Sequence, residues 1–291
     1  MIDRYLLRYF LAVIDCGGFS KAAKQLNVAQ PSLSVGIRKL ERLLGTPVFN
    51  RNSKRVQITD AGSRLAAHAR RIENEFNLAE AAVANLKPVR ALRLGVLSTL
   101  PIGPVADSLR VAKRSANLER LQLVPGNEQE LLQRLRRGQL DAALTIVRED
   151  SERFAPETLF AEHYALAMPS DHPLADQKAI PPEDLADNTM IVRRHCEALP
   201  DTSRYFTEHG VRPFFAYRST NDDQVLALVQ AGLGITVMPA SYSLKGVVRP
   251  RLEGFNLKRR IGFLYAESTN RTQHAASPML KALRDQYTNT A

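Results

Sequence analysis

From Thr59 to Lys87 the sequence holds no proline and a single glycine, Gly62, near its start. Through this stretch Leu65, Ala69, Ile72, Phe76, Ala79, Val83 and Leu86 recur in steps of four and three. A 3.5-residue period is the seam of two helices wound around each other, because a straight helix drifts about 20° per heptad against it. A helix packed on its own domain is the alternative, and it usually shows a wider apolar stripe. At about 1.5 Å per residue the segment reaches roughly 42 Å, too long to fold back into one small core. The chain is therefore expected in three parts: a domain at 1–58, a linker helix at 59–88 that Pro88 ends, and a domain at 89–291.

The parts on either side of the rod differ in charge. Residues 1–90 carry 15 Lys+Arg against 7 Asp+Glu, and the rest of the chain carries 25 against 23. Most of the net charge of +10 thus sits in less than a third of the 291 residues. A module that meets a polyanion has this balance, and so does a basic surface kept for solubility. Hydrophobic residues at 44% exclude general disorder. No apolar run approaches the roughly 20 residues needed to cross a bilayer, so no membrane partner is expected. Met1-Ile2-Asp3-Arg4 does not open a secretory signal. Cys16 and Cys196 are the only cysteines, which argues for a reducing, cytoplasmic setting rather than a disulfide framework.

In the basic third, Leu6, Phe10 and Val13 mark the inner stripe of a first helix that Gly17-Gly18 stops. Ser20 suits an N-cap for the short helix that runs to Leu26, and Asn27-Val28-Ala29 forms a tight turn. Pro31 suits the first position of a third helix whose buried side is Leu33, Ile37, Leu40 and Leu44. Ser34, Val35, Arg38 and Arg42 fall opposite, flanked by Ser32 and Lys39. Short helix, turn and hydroxyl-rich basic helix make a helix-turn-helix that fits the DNA major groove. A helical bundle with a merely wet outer face has the same pattern. Val48-Phe49 and Val56-Gln57-Ile58 then bracket a basic loop, a hairpin wing that sets Arg51, Lys54 and Arg55 against phosphates.

Phe10, Ser20, Ala22-Ala23, Leu26, Gln30-Pro31-Ser32-Leu33-Ser34, Ile37, Leu40-Glu41, Leu44-Gly45, Phe49-Asn50-Arg51 and Thr59-Asp60-Ala61-Gly62 together resemble the winged helix-turn-helix of LysR-type transcriptional regulators. The match runs without gaps over about sixty residues. It implies that Gln30, Ser32, Ser34, Arg38 and Arg51 face DNA, within a candidate set completed by Ser20, Lys21, Val35, Lys39, Lys54 and Arg55. It also implies that the linker helix dimerises. The chain departs from many relatives at Val35-Gly36, where they carry a polar pair. Gly36 costs about 1 kcal/mol in a helix interior, which close packing against the second helix would explain. Val35 suits a thymine methyl.

From Ala91 the pattern becomes strand–helix–strand. Strands at Leu92–Leu97, Leu121–Val124 and Ala142–Ile146 alternate with helices at Pro101–Arg114 and Gln129–Arg137, which argues for a parallel sheet covered by helices. A second unit follows, with strands near Met190–Val192, Phe214–Tyr217 and Gly234–Met238. Two such lobes resemble periplasmic solute-binding proteins, the effector-binding fold of the LysR-type family. That resemblance implies a first lobe of about 91–161 and 266–291 and a second of about 162–265. Ligands of open α/β sheets sit beyond the carboxyl ends of strands, at helix N-termini. Ser98, Thr99, Thr145, Ser219, Thr220 and Asn221 hold such places and favour an anion, although each singly suits N-capping. Arg193 and Arg194, next to His195 and Cys196, either close over a negative ligand or are surface charges.

Catalytic patterns are missing. There is no Gly-x-Ser-x-Gly elbow, no third glycine after Gly232-Leu233-Gly234, and no metal-ligand spacing among the six histidines. Asp222-Asp223 reads as first-turn acid. Cys196 reads first as a cleft-lining thiol. Its basic neighbours also suit a thiolate, so a single-cysteine redox response is the second reading. Peroxide-sensing LysR-type regulators use two cysteines in this region, and this chain has no second one nearby. The expectation is a non-enzymatic, cytoplasmic transcriptional regulator without a cofactor. It would bind double-stranded DNA as a homodimer, extended to a homotetramer, under a small anionic effector. A solute-binding transport protein is the rival.

Overall fold

The computed structural model describes residues 1–50, 56–83, 90–115, 119–266 and 276–288, so Arg51, Lys54, Arg55 and Leu86 lie outside the described residues. The head begins with three helices, α1 (Arg4–Cys16), α2 (Phe19–Gln25) and α3 (Gln30–Leu44). Strands β1 (Phe49–Asn50) and β2 (Gln57–Ile58) then pair antiparallel as the base of the wing. Gly17 ends α1 in the left-handed region at φ 66, where glycine is favoured. Asn27 takes the same region at φ 53 and turns the chain between α2 and α3. Ser20 is not the cap expected of it: α2 starts two residues earlier than that cap requires, at Phe19 after Gly18, and Ser20 lies exposed inside the first turn.

Leu33, Ile37 and Leu40 of α3 are buried with Leu6, Phe10 and Val13 of α1 in the head's core. Gly36 is explained by a different neighbour from the one the sequence suggested. A Cβ there would stand 2.7 Å from the Tyr9 ring, so at this position α3 meets α1 rather than α2. Glu41 is buried and accepts the Val48 N–H at 3.0 Å, which fastens the end of α3 to the wing. Below it, a Cβ on Gly62 would come within 2.3 Å of the Val48 carbonyl oxygen. Backbone cannot yield there as a side-chain tip would. Gly62→Ala should therefore cost about 1–3 kcal/mol, read as an earlier loss of helical circular dichroism on heating.

Helix α4 (Asp60–Val83) leaves the head, with the Gly62 N–H donating to Thr59 Oγ1 at 3.0 Å as the N-cap. Its stripe divides in two. Ala69 is completely buried and Leu65 half-buried in the chain's own head, which corrects their assignment to a dimer seam. Ile72, Phe76 and Val83 are 41%, 44% and 88% exposed, so only the stretch from Ile72 onward offers an apolar edge. Arg4 straps α1 to this stretch. Its guanidinium meets Glu73 at 3.0 Å and Glu80 at 2.9 Å, and lies 4.4 Å from the centre of the Phe76 ring.

The remainder forms two lobes. In the first, β3 (Arg90–Leu97) runs parallel to β4 (Glu119–Gly126) on one side and β5 (Ala142–Ile146) on the other. Helices α5 (Ile102–Ala112) and α6 (Glu128–Arg136) complete the crossovers, and Gly138 at φ 60 follows α6. The long strand β6 (Glu157–Pro169) then leaves for the second lobe, and β13 (Lys258–Tyr265) returns antiparallel to it. Because β13 pairs with β5 from Ile261 to Tyr265, those residues belong to the first lobe. The return crossing thus lies near Lys258, earlier than the residue 265 expected from resemblance. Helix α9 (Pro278–Thr288) closes the first lobe's core through Met279, Leu280, Leu283 and Tyr287.

In the second lobe, the far half of β6 pairs antiparallel with β10 (Thr236–Pro239) and with β11 (Val247–Val248). The short strands β7 (Ala179–Ile180) and β12 (Arg251–Leu252) pair beside it. Strands β8 (Thr189–Arg193) and β9 (Phe214–Ser219) run parallel, and a Met190–Ile235 bridge ties them to the approach of β10. Helices α7 (Leu199–Glu208) and α8 (Asp222–Gln230) flank these strands.

Candidate functional site

On the head, α3 turns a polar ridge outward. Gln30, Ser32, Val35 and Arg38 are exposed and Ser34 is half-buried, opposite the apolar side that meets α1. Gln30 Nε2 donates to Ser34 Oγ at 3.1 Å, and the Arg38 guanidinium leans back to the Ser34 carbonyl at 3.4 Å. Lys39 points elsewhere: its ammonium donates to Tyr5 Oη at 3.0 Å and sits 3.6 Å from Asp3. The hydrogen bond to Tyr5 raises its pKa. Ser20 and Lys21 are exposed on α2. The ridge presents small hydroxyls, an amide and a guanidinium, the groups that read base edges.

Between the lobes lies a cavity of about 380 Å³. Leu97, Asn127, Glu128 and Arg148 bound it from the first lobe, and Arg194, His195, Cys196 and Glu197 from the second. Asn127 also caps α6 through a reciprocal pair with Glu130. At the edge of the cavity the lobes are joined by charge. Arg259, on β13, donates from Nε to Glu162 at 2.9 Å, from Nη1 to Thr99 Oγ1 at 3.0 Å and to Glu197, and from Nη2 to the Thr99 carbonyl at 2.9 Å. Tyr164 Oη donates to Glu197 Oε1 at 2.5 Å, and Thr99 Oγ1 to Glu197 Oε2 at 2.9 Å. Burial works to raise the Glu197 pKa, yet Arg259 and the Tyr164 hydroxyl hold it below the ordinary carboxylate range.

A second ion pair stands behind the first. Arg193 is bound to Asp222, with Nε donating to Oδ1 at 2.7 Å, and it also donates to the Val237 carbonyl at 3.2 Å and to Cys196 Sγ at 3.1 Å. The two side chains are 2% and 6% exposed. Despite that contact, burial pushes the Cys196 thiol up, and Arg193 opposes the shift without reversing it. A larger hollow, about 570 Å³, opens inside the second lobe among β8, β9 and α7, and Cys196 lines it as well.

Residues 5–63 match the lysR family of bacterial regulatory helix-turn-helix proteins, and residues 87–288 match the LysR substrate binding domain. This chain is a LysR-type transcriptional regulator. It is 32% identical over 275 residues to a probable hydrogen peroxide-inducible genes activator of Mycobacterium avium, covering 91% of this chain and 88% of that one. It is 30% identical over 239 residues to the DNA-binding transcriptional dual regulator OxyR of Escherichia coli, covering 80% and 78%. The structure of a full-length OxyR variant from Pseudomonas aeruginosa superposes with a TM-score of 0.66 at 23% identity, covering 99% of this chain and 95% of that one.

With the family established, the sequence expectations for the cleft of this LysR-type regulator divide. His195 and Cys196 line the cavity and Thr99 joins the ionic cluster beside it. Ser98 is exposed directly after Leu97. Arg193 does not close over a ligand, because Asp222 occupies its guanidinium. Asp222 is therefore more than a first-turn acid. Ser219 and Asn221 act as turn and cap: Ser219 Oγ accepts the Asn221 N–H at 3.0 Å, and Asn221 Oδ1 accepts the Gln224 N–H at 3.1 Å. Thr220 is exposed at that turn, and none of the three borders the cavity. Thr145 is fully buried on β5 with its hydroxyl unpaired. Sequence reasoning missed Glu162, Tyr164, Glu197 and Arg259; Arg259 stands between Lys258 and Arg260 ahead of the apolar run from Ile261, so the local pattern reads as surface charge and does not mark it as buried. Among the described residues no cluster suits a metal ion, and no helix is long and apolar enough to cross a membrane.

Proposed function

We propose that this regulator reads promoter DNA with Gln30, Ser32, Ser34, Val35 and Arg38 of α3, while Ser20, Lys21, Lys39 and the wing residues Arg51, Lys54 and Arg55 hold phosphates. Paired α4 helices would make a cytoplasmic dimer, joined into a tetramer by effector domains. A small anion entering the interlobe cleft would bias the arrangement of the DNA-reading heads without being turned over. The observation that carries the reading is the outward ridge of α3, whose opposite side is committed to the head's core. Arg194 and His195 on the cavity wall support the anionic character of the effector, whereas Arg148 is already paired with Glu128, whose Oε2 accepts from Nη2 at 2.7 Å.

Gel shifts over a salt series test the DNA face. Arg38→Ala should cost about 1–3 kcal/mol and relax preference for one base position. Arg51→Ala should weaken all sequences alike and lower the salt slope by about one. Equal retention of a promoter fragment and its scrambled counterpart by the wild type would sink the reading. The names of the two relatives favour a second reading, in which Cys196 senses oxidant. The raised thiol pKa works against it, because the thiolate is the reactive form. Peroxide that alters operator binding by the wild type but not by Cys196→Ser would decide for the second reading.

A further inference from the structure

The cleft already contains a carboxylate. Glu197 sits where three donors converge: Arg259 Nη1, Tyr164 Oη at 2.5 Å and Thr99 Oγ1 at 2.9 Å. Its side chain is only 12% exposed, and that of Arg259 is 2% exposed. The two carboxylates on Arg259 are held differently. Glu162 belongs to the crossing strand β6 and is pinned a second time by the Ser241 N–H at 2.8 Å. Glu197 belongs to the short segment between β8 and α7 and borders the cavity. Glu162 is enough to neutralise Arg259, so Glu197 is the carboxylate that can leave. Thr99 follows the first lobe's β3, whereas Glu197 is carried by the second lobe. The contact therefore fastens one lobe to the other.

Resting on the effector-cleft reading above, we propose that Glu197 is a tethered occupant of a carboxylate subsite formed by Thr99, Tyr164 and Arg259. A carboxylate effector acts by displacing it, which exchanges one anion for another on the same donors and frees the 194–197 segment from the first lobe. The subsite selects a monocarboxylate end, because Glu162 already occupies the other side of the guanidinium. An uncharged ligand of the same size does not compete, since it cannot match the charge-assisted hydrogen bonds that Glu197 already accepts from the same donors.

The test uses the full chain and acetate as the probe. Glu197→Ala should melt roughly 5 °C below the wild type, and about 100 mM acetate should restore at least half of that loss. Chloride at equal ionic strength should not. Glu197→Gln fills the subsite without charge and should show no acetate response. Wild-type protein should respond at least tenfold less sensitively than Glu197→Ala. Were Glu197→Ala not to fold, Glu197→Asp asks the same question, since a shorter carboxylate reaches the donors less well and should admit acetate at lower concentration than the wild type does. Acetate sensitivity of Glu197→Ala equal to that of the wild type, or no acetate response in Glu197→Ala (in Glu197→Asp, should the alanine variant not fold), overturns the tethered-occupant proposal. Operator binding by the wild type stands apart from these outcomes, so failure here is distinguishable from failure of the regulator reading.

Discussion

Asp222→Ala is expected to cost about 3–5 kcal/mol of stability, because it strands the buried Arg193 guanidinium. Desolvating a charge without its partner is the expensive step, and here both members are almost wholly enclosed, at 2% and 6% side-chain exposure. At a few degrees per kcal/mol for a body of this size, the effector domain should melt on the order of 10 °C earlier. Asp222→Asn retains an acceptor and should lose clearly less. A calorimetric midpoint unchanged by Asp222→Ala would mean that the pair is not buried as described.

Ile72→Glu together with Val83→Glu is expected to separate the proposed α4 dimer. Both residues are exposed on α4 beyond the head, and two glutamates per helix would bring like charges face to face across the seam. Losing simultaneous engagement of two half-sites should reduce operator affinity by about 10²–10⁴-fold. Sedimentation velocity reads the mass and a gel shift reads the affinity. Dimers that persist with unchanged affinity would remove α4 from the interface. The same charges placed at Ala69, inside the head's core, would instead unfold the head, so the location of each residue decides what its substitution reports.

Periodicity made the helices legible. The Leu33, Ile37, Leu40 spacing fixed the orientation of α3, and the Leu92–Leu97 and Ala142–Ile146 runs became adjacent parallel strands β3 and β5. Gly17 at positive φ closed α1 where the sequence placed its end. The seam was half misread, because four-and-three spacing is silent about which partner covers the stripe. Ala69 is claimed by its own head and Val83 is not. The cleft was the least legible part. Its chemistry rests on Thr99, Tyr164, Glu197 and Arg259, which are remote in sequence and meet only because β6 and β13 cross side by side. Local patterns pointed to the helix caps at Ser219 and Asn221 instead, where hydroxyl and amide satisfy the backbone.

Arg4 reaches from α1 to Glu73, Phe76 and Glu80, two turns of α4. A swivelling joint at the neck would let each reading head search for its half-site independently, tolerating variable operator spacing. The strap denies that slack. In the proposed dimer, head and rod would turn as one jaw of a caliper, so the distance measured along DNA would be set by how the two rods cross, and a ligand that altered their crossing would alter the gauge.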